Sequence, residues 1–142
     1  RALWAGPGSV DFDGQFYSFR NAHSWPKPYS ESGVPLHIGG HSAAAARRAG
    51  RLGDGFQPLG LAGDELDQAI DRMRTAAVDA GRDTGEVELV LGSTLPRLNE
   101  ETLEWARERG AGRLVVGASR KADSLDRVID EMSECSARLG LC

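Results

Sequence analysis

Hydrophobic and polar positions change their rhythm near residue 34. Before it, Val10, Phe12, Phe16, Tyr17 and Phe19 alternate with polar residues around the pair Asp13-Gly14. A D-G pair between alternating apolar runs is a strong hairpin signal, so a short antiparallel excursion is expected between residues 9 and 29. Trp25-Pro26-Lys27-Pro28 closes it, since each proline pushes the residue before it into extended geometry. The opening Arg1-Ala2-Leu3-Trp4 reads as the last turn of a helix that began upstream.

After residue 34 the chain alternates strand and helix patterns. An apolar run over 34–38 ends in Gly39-Gly40 and enters an alanine-rich helix over 42–52. Residues 53–58 supply a turn and a second strand. In the helix over 64–80, Leu66, Ile70, Met73 and Ala77 recur at helical spacing, and Gly81 suits a left-handed cap. Residues 87–91 form a third strand whose apolar run is interrupted by Glu88. A helix over 99–109 opens on a capping Asn99 and two acids. Residues 114–116 are the fourth strand. A last helix over 122–138 aligns Leu125, Val128, Ile129, Met132 and Cys135 as one buried stripe.

Four βα units in series imply parallel strands with right-handed crossovers, an α/β fold. The expected architecture is the C-terminal half of a (β/α)8 TIM barrel preceded by a hairpin. An open doubly wound sheet is the competitor. The chain is expected to be one partial-barrel domain over 1–142, divided into 1–33 (helix end, hairpin, proline connector) and 34–142 (the βα units). Either architecture leaves edges and apolar faces to cover, so association is expected, most simply as a homodimer.

Size and charge narrow this further. The 142 residues fall short of the roughly 250 of a complete barrel. With 17 Lys plus Arg against 21 Asp plus Glu, the net charge of -4 gives no pull toward nucleic acid or anionic membranes. No apolar run approaches the ~20 residues that span a bilayer, and no signal-peptide pattern opens the chain, so a cytoplasmic location is expected. Cys135 and Cys142 lack zinc-ligand spacing and read as reduced thiols.

The segment richest in chemistry is Pro35-Leu36-His37-Ile38-Gly39-Gly40-His41-Ser42. Paired glycines let backbone amides approach an anion, and a helix N-terminus adds partial positive charge, so the geometry suits a phosphate. A tight βα turn with Ser42 as N-cap explains the same residues without a ligand. His37 could face a barrel interior and His41 lies beside the glycines; His23 reads as solvated. No G-x-G-x-x-G, P-loop, G-x-S-x-G or H-E-x-x-H occurs, which removes the usual dinucleotide, nucleotide, serine-hydrolase and zinc-protease signatures. The pairs Asp64-Glu65, Glu100-Glu101 and Asp130-Glu131 read as helix-start or solvated charges. Arg47, Arg48 and Arg51 read as surface ion-pairing residues, and Trp4, Trp25 and Trp105 as packing residues.

The order of several segments then carries a resemblance: Ala2-Leu3-Trp4, Asp13-Gly14 with Phe16-Tyr17, Pro26-Lys27-Pro28, Val34 to Gly40, Arg48 to Phe56, and Ala80-Gly81-Arg82-Asp83. Across nearly the whole chain this series resembles the C-terminal half of luciferase-like monooxygenases, above all the branch that uses the deazaflavin coenzyme F-420. The resemblance implies strands five to eight of a TIM barrel, FMN or coenzyme F-420 as cofactor, and hydride transfer to or from a small organic substrate. It assigns Gly39, Gly40, His41 and Ser42 to the cofactor phosphate, and Gln57, Pro58 and Leu59 to the adjoining ribityl chain or phosphate. It implies no catalytic residue and no metal ligand in this chain, and therefore no turnover by the chain alone. A non-catalytic half-barrel that dimerises or binds phosphate is the alternative.

Overall fold

The computed structural model describes residues 1–30 and 33–141, so the expectation for Cys142 lies outside the described residues. It contains two compact units, Arg1–Pro35 and Leu36–Cys142.

In the first unit a 3-10 turn, Ala2–Trp4, precedes the antiparallel strands β1 (Val10–Asp13) and β2 (Ser18–Ala22). The Gly14 amide donates to the Tyr17 carbonyl at 2.9 Å and closes the hairpin. Phe12 pairs directly with Phe19, their rings stacked at 5.4 Å, and Arg20 clamps Asp13 at 2.6 Å. That guanidinium holds the Asp13 carboxyl below the usual carboxylate range. Trp25 is not a packing residue: it is 66% exposed and carries the Lys27 ammonium 5.4 Å above its ring, while Lys27 donates to the Leu3 carbonyl. His23 is exposed, as its setting in the sequence suggests.

The second unit runs β3 (His37–Gly40), α1 (Ala43–Leu52), β4 (Gly55–Pro58), α2 (Gly63–Asp79), β5 (Glu88–Thr94), α3 (Glu100–Glu108), β6 (Ala111–Gly117) and α4 (Leu125–Arg138). All four strands pair in parallel, in the order β3-β4-β5-β6. Each crossover therefore advances by one strand in the same direction. A doubly wound sheet reverses its strand order to place helices on both faces; here the order never reverses, which leaves the barrel-type arrangement.

One face of the sheet carries the core. Ile38, Phe56, Leu89, Leu91, Ala111 and Leu114 meet Ala46 and Ala49 of α1, Leu66, Ile70 and Met73 of α2, and Ala106 of α3. Phe56, Met73 and Leu91 are fully buried, and no polar side chain is buried among the described residues. Truncating Phe56 to Ala would cost on the order of 3–5 kcal/mol.

Helix α1 meets α2 through small residues. Ala45, Ala46, Ala49 and Gly50 are its buried positions, one stripe at helical spacing. A Cβ on Gly50 would lie 2.1 Å from the Met73 carbonyl oxygen and 2.8 Å from the Ala77 nitrogen, so the helices touch backbone to backbone. Within this unit, arginines join separate elements through backbone carbonyls and a carboxylate. Arg82 donates to the Gly50 carbonyl at 2.7 Å, Arg74 to the Arg109 carbonyl at 2.7 Å, and Arg138 to the carbonyls of Leu95 and Leu98. Arg109 forms a two-point pair with Asp67 at 2.9 and 3.2 Å, with its guanidinium 5.0 Å from the Trp105 ring.

Several expected boundaries move. β3 begins at His37 rather than residue 34, because Leu36 is held by Asp54: its amide donates to the Asp54 carboxylate and its carbonyl accepts from the Asp54 amide. β5 and β6 run longer than expected, since their six-point ladder continues past the apolar stretches. The stripe on α4 is not buried. Leu125, Ile129 and Met132 are 73%, 50% and 56% exposed, Val128 is half-buried and Cys135 is buried, near the end that Arg138 ties to the Leu95 and Leu98 carbonyls. Arg47, Arg48 and Arg51 are exposed and form no ion pair among the described residues.

Gly50→Ala is expected to destabilise the chain by about 1–3 kcal/mol or more through overpacking. Gly117→Ala, where an added Cβ meets nothing within 4 Å, should stay within about 0.5 kcal/mol of wild type. Urea unfolding followed by circular dichroism separates the two, and equal midpoints would refute the close helix contact.

Candidate functional site

Gly39 and Gly40 form the last two residues of β3, and Ser42 caps α1 two residues later. Gly40 has φ of +138°, a conformation that side chains with a Cβ rarely adopt, and a Cβ there would press to 3.0 Å on Ala45. The turn therefore needs glycine. Ser42 accepts from the Ala45 amide at 3.1 Å, the ordinary N-cap bond. A hydroxyl that accepts in this way still has its proton to donate. The amides of Ala43 and Ala44 belong to the first turn and have no intrahelical partner by construction.

The second expected segment lies alongside. Gly39 pairs with Gln57 and Gly40 with Pro58 in the parallel ladder, and the Leu59 amide donates to the Gly40 carbonyl at 3.3 Å. All seven residues singled out from the sequence thus gather at the C-terminal ends of β3 and β4. His41, Ser42 and Leu59 are exposed, Gln57 is half-buried and Pro58 is buried. The group presents backbone amides, the Ser42 hydroxyl, the exposed His41 imidazole and the Gln57 carboxamide, and no carboxylate. It suits an anion held by dipoles.

His37 stands at the opposite end of β3. Its Nε2 lies 3.3 Å from the Glu88 carboxylate, whose other oxygen lies 3.4 Å from Arg113 Nε. The ring passes over Gly55 so closely that a Cβ there would sit 2.6 Å from it. His37, Glu88 and Arg113 therefore link three strands near their N-terminal ends, across the residue that has no side chain. In a parallel barrel that end serves stability while ligands bind at the strand C-termini, so this imidazole is a structural cross-tie. Glu88 announced itself in the sequence as the one acid in an apolar run; its partners lie 51 and 25 positions away and carried no such signal.

The sequence profile of luciferase-like monooxygenases matches residues 1–109. The chain belongs to the luciferase-like monooxygenase family. Among curated relatives, the F-420-dependent glucose-6-phosphate dehydrogenases of Mycolicibacterium fortuitum and Nocardia farcinica are 38% and 39% identical over 93 residues. Those alignments cover 64% of this chain and 27% of each relative, so the chain matches about a quarter of their length. Among solved structures, an F-420-dependent secondary alcohol dehydrogenase in complex with an F-420-acetone adduct superposes with a TM-score of 0.55 at 20% identity. It matches 94% of this chain and 49% of that one. The coenzyme F-420-dependent tetrahydromethanopterin reductase of Methanopyrus kandleri gives 0.56 at 15% identity, with 99% and 43% covered. These similarities show the fold: the neighbours are TIM-barrel proteins, and this chain covers just under half of each.

Within the luciferase-like family frame, the Gly39 to Ser42 turn sits at the rim where a barrel binds its ligands. A phosphate-bearing cofactor fits what these residues offer, because a helix start, a glycine turn without side chains and a donating hydroxyl converge there. No group of three or more His, Cys, Asp or Glu side chains suited to a metal occurs among the described residues. No helix among them is long and apolar enough to cross a membrane.

Sequence reasoning treated Asp130-Glu131 as a solvated acid pair, and for Glu131 this fails. Its carboxylate accepts from both the Ser119 amide, at 2.8 Å, and the Ser119 hydroxyl. That bonding, with the nearby Arg127 charge, holds the Glu131 carboxyl below its usual range. Glu131 thereby pins the loop after β6 to α4. Twelve residues separate the partners, so no helical or strand period could have revealed the contact.

Ser119→Ala should raise the Glu131 pKa toward the ordinary carboxylate value, read by NMR titration of its side-chain carbon. A carboxyl with a depressed folded pKa adds stability above its unfolded pKa and loses it as pH falls through the folded value. The difference in unfolding midpoint between wild type and variant should therefore be present at neutral pH and shrink on acidification; a constant gap would exclude the pair as its source.

Proposed function

We propose that this chain is the cofactor-phosphate half of a luciferase-like oxidoreductase dependent on coenzyme F-420 or FMN, which moves a hydride between cofactor and a small organic substrate. The carrying observation is the convergence at one rim of the Gly39-Gly40 turn, the Ser42 cap and the paired Gln57–Leu59 segment. Family membership and the F-420-dependent relatives favour the deazaflavin type. Gly39, Gly40, His41 and Ser42 would hold the phosphate, with Gln57, Pro58 and Leu59 flanking the chain that leads from it. When bound, the cofactor's ring accepts or gives the hydride.

The chain's own residues bind and orient. Gly40 lets the backbone come close to the phosphate, Ser42 donates its hydroxyl proton to a phosphate oxygen, and exposed Leu59 shields one side from water. Fixing a reactive ring within fractions of an ångström requires its pocket as well as its tail. On this reading the pocket and the catalytic residues come from the remainder of the barrel, both units of this chain belong to one barrel domain, and the chain by itself does not turn over.

The test is fluorescence titration of F-420 and of FMN with the protein encoded by the full reading frame that contains this chain, and with the 142-residue chain beside it. The full protein should quench one cofactor strongly and the chain weakly. Gly40→Ala in the full protein should weaken binding about tenfold, ~1.4 kcal/mol. No quenching of either cofactor by the full protein removes the proposal.

Exposed Leu125, Ile129 and Met132 on α4, with Val115 on the sheet, favour a second reading in which copies of the chain associate as a homodimer. Analytical ultracentrifugation of the 142-residue chain should then give twice the monomer mass at micromolar concentration, reverting to monomer with Ile129→Glu. A monomer across that range removes the dimer.

A further inference from the structure

The loops that follow β5 and β6 enclose a cleft of about 630 Å³ lined by Arg97, Arg120, Lys121 and Arg127, with Ser119 and Glu131 at its side. Four cations meet one carboxylate in a chain whose net charge is -4. Their side chains form no hydrogen bond or close ion pair among the described residues, as is also true of the exposed Arg47, Arg48 and Arg51; what sets these four apart is that they share one cleft. The one carboxylate in the cleft is already spent on Ser119, through both its amide and its hydroxyl.

Only part of this charge is compensated, by the attraction between Glu131 and Arg127. Arg127 lies in the first turn of α4, the end of a helix where cations are disfavoured, and Arg120 and Lys121 sit just before that turn. Like charges gathered in one concavity repel, and a concave, low-dielectric wall concentrates their field. The Glu131 clamp fixes Ser119, and so sets where the next two residues, Arg120 and Lys121, project. A cleft lined by four cations and one carboxylate is complementary to an oxyanion, for which Arg offers paired donors and Lys a point charge.

We propose that this cleft is a second anion site, distinct from the Gly39-Gly40 turn, that binds the phosphate or carboxylate group of the small-molecule substrate. The proposal rests on reading the strand C-termini as the barrel's ligand rim, and it names the substrate class as anionic. The residues that build the cleft after β6 lie beyond the stretch, 1–109, that matches the family profile. The Gly39-Gly40 turn lies inside that stretch.

The test is a two-dimensional amide NMR titration of the 142-residue chain with inorganic phosphate and, separately, succinate, against chloride at matched ionic strength. Saturable shifts at Ser119, Arg120, Lys121 and Arg97 are expected, and chloride should not reproduce them. The double variant Arg120→Gln with Lys121→Gln alters two exposed side chains, so its unchanged spectrum elsewhere reports folding; its affinity should fall at least about fivefold, ~1 kcal/mol. Saturation by phosphate but not succinate assigns a phosphate-bearing substrate, and the converse a carboxylate. Shifts confined to Gly39 through Ser42, shifts reproduced by chloride, or an affinity untouched by the double variant would each overturn the site. The first of these outcomes leaves the cofactor-phosphate proposal standing, and shifts at the cleft with none at the turn count against that proposal alone.

Discussion

The approach of α1 to α2 at Gly50 is the constraint from which the candidate site follows. With alanines and one glycine on its buried face, α1 lies close enough for backbone to meet backbone, and any larger side chain at Gly50 would strike the Met73 carbonyl. That contact sets the depth and direction of the helix. Its N-terminus then falls immediately beyond Gly40, with the Ser42 hydroxyl on the Ala45 amide and the Leu59 amide on the Gly40 carbonyl. A wider spacing between the helices would swing the helix start off the end of β3 and separate it from the loop after β4. Packing on one side of the sheet thus places the dipoles at its rim.

The two ends of the sheet divide their tasks. At the strand N-termini, His37, Glu88 and Arg113 join three strands through charges that solvent partly screens, over a glycine that leaves room for the ring. At the strand C-termini the backbone dominates, with glycines, a capping hydroxyl and amides, and farther along the rim an accumulation of unpaired cations. The division follows from parallel pairing, since every strand then brings its following loop to the same end. It also sets two histidines apart: His37 faces Glu88 at the strand N-termini, while His41 lies exposed beside the glycines at the other end.

Arginine has two distinct uses in this fold. Arg82, Arg74 and Arg138 complete carbonyls at the ends of helices and turns, and Arg109 grips Asp67 at two points while stacking on Trp105. A planar guanidinium with five donors can satisfy several acceptors at once, which suits it to joining elements that meet at angles. Arg97, Arg120 and Arg127 bind no such acceptor. Residue identity alone does not separate the two groups, and only their surroundings do.

Much of this molecule was legible in its sequence, and the reason is that helices and strands reveal themselves through local period. Leu66, Ile70, Met73 and Ala77 announced the buried face of α2, Asn99 the start of α3, and Asp13-Gly14 the hairpin. The Gly39-Gly40 turn and the Ser42 cap were legible too, because glycine turns and N-caps are short-range devices whose partners lie within a few positions. The α4 stripe shows the limit: its period named an apolar face correctly, but whether that face is covered depends on what packs against it, and Leu125, Ile129 and Met132 stand exposed. The Glu131 clamp on Ser119, the His37-Glu88-Arg113 tie and the unbroken strand order that distinguishes a barrel from a doubly wound sheet join residues remote in the chain. Sequence by itself determined which elements form and where the glycine turn and its capped helix lie. Tertiary structure decided which charges find partners, because chain folding, and no periodicity, sets the distance between side chains far apart in sequence.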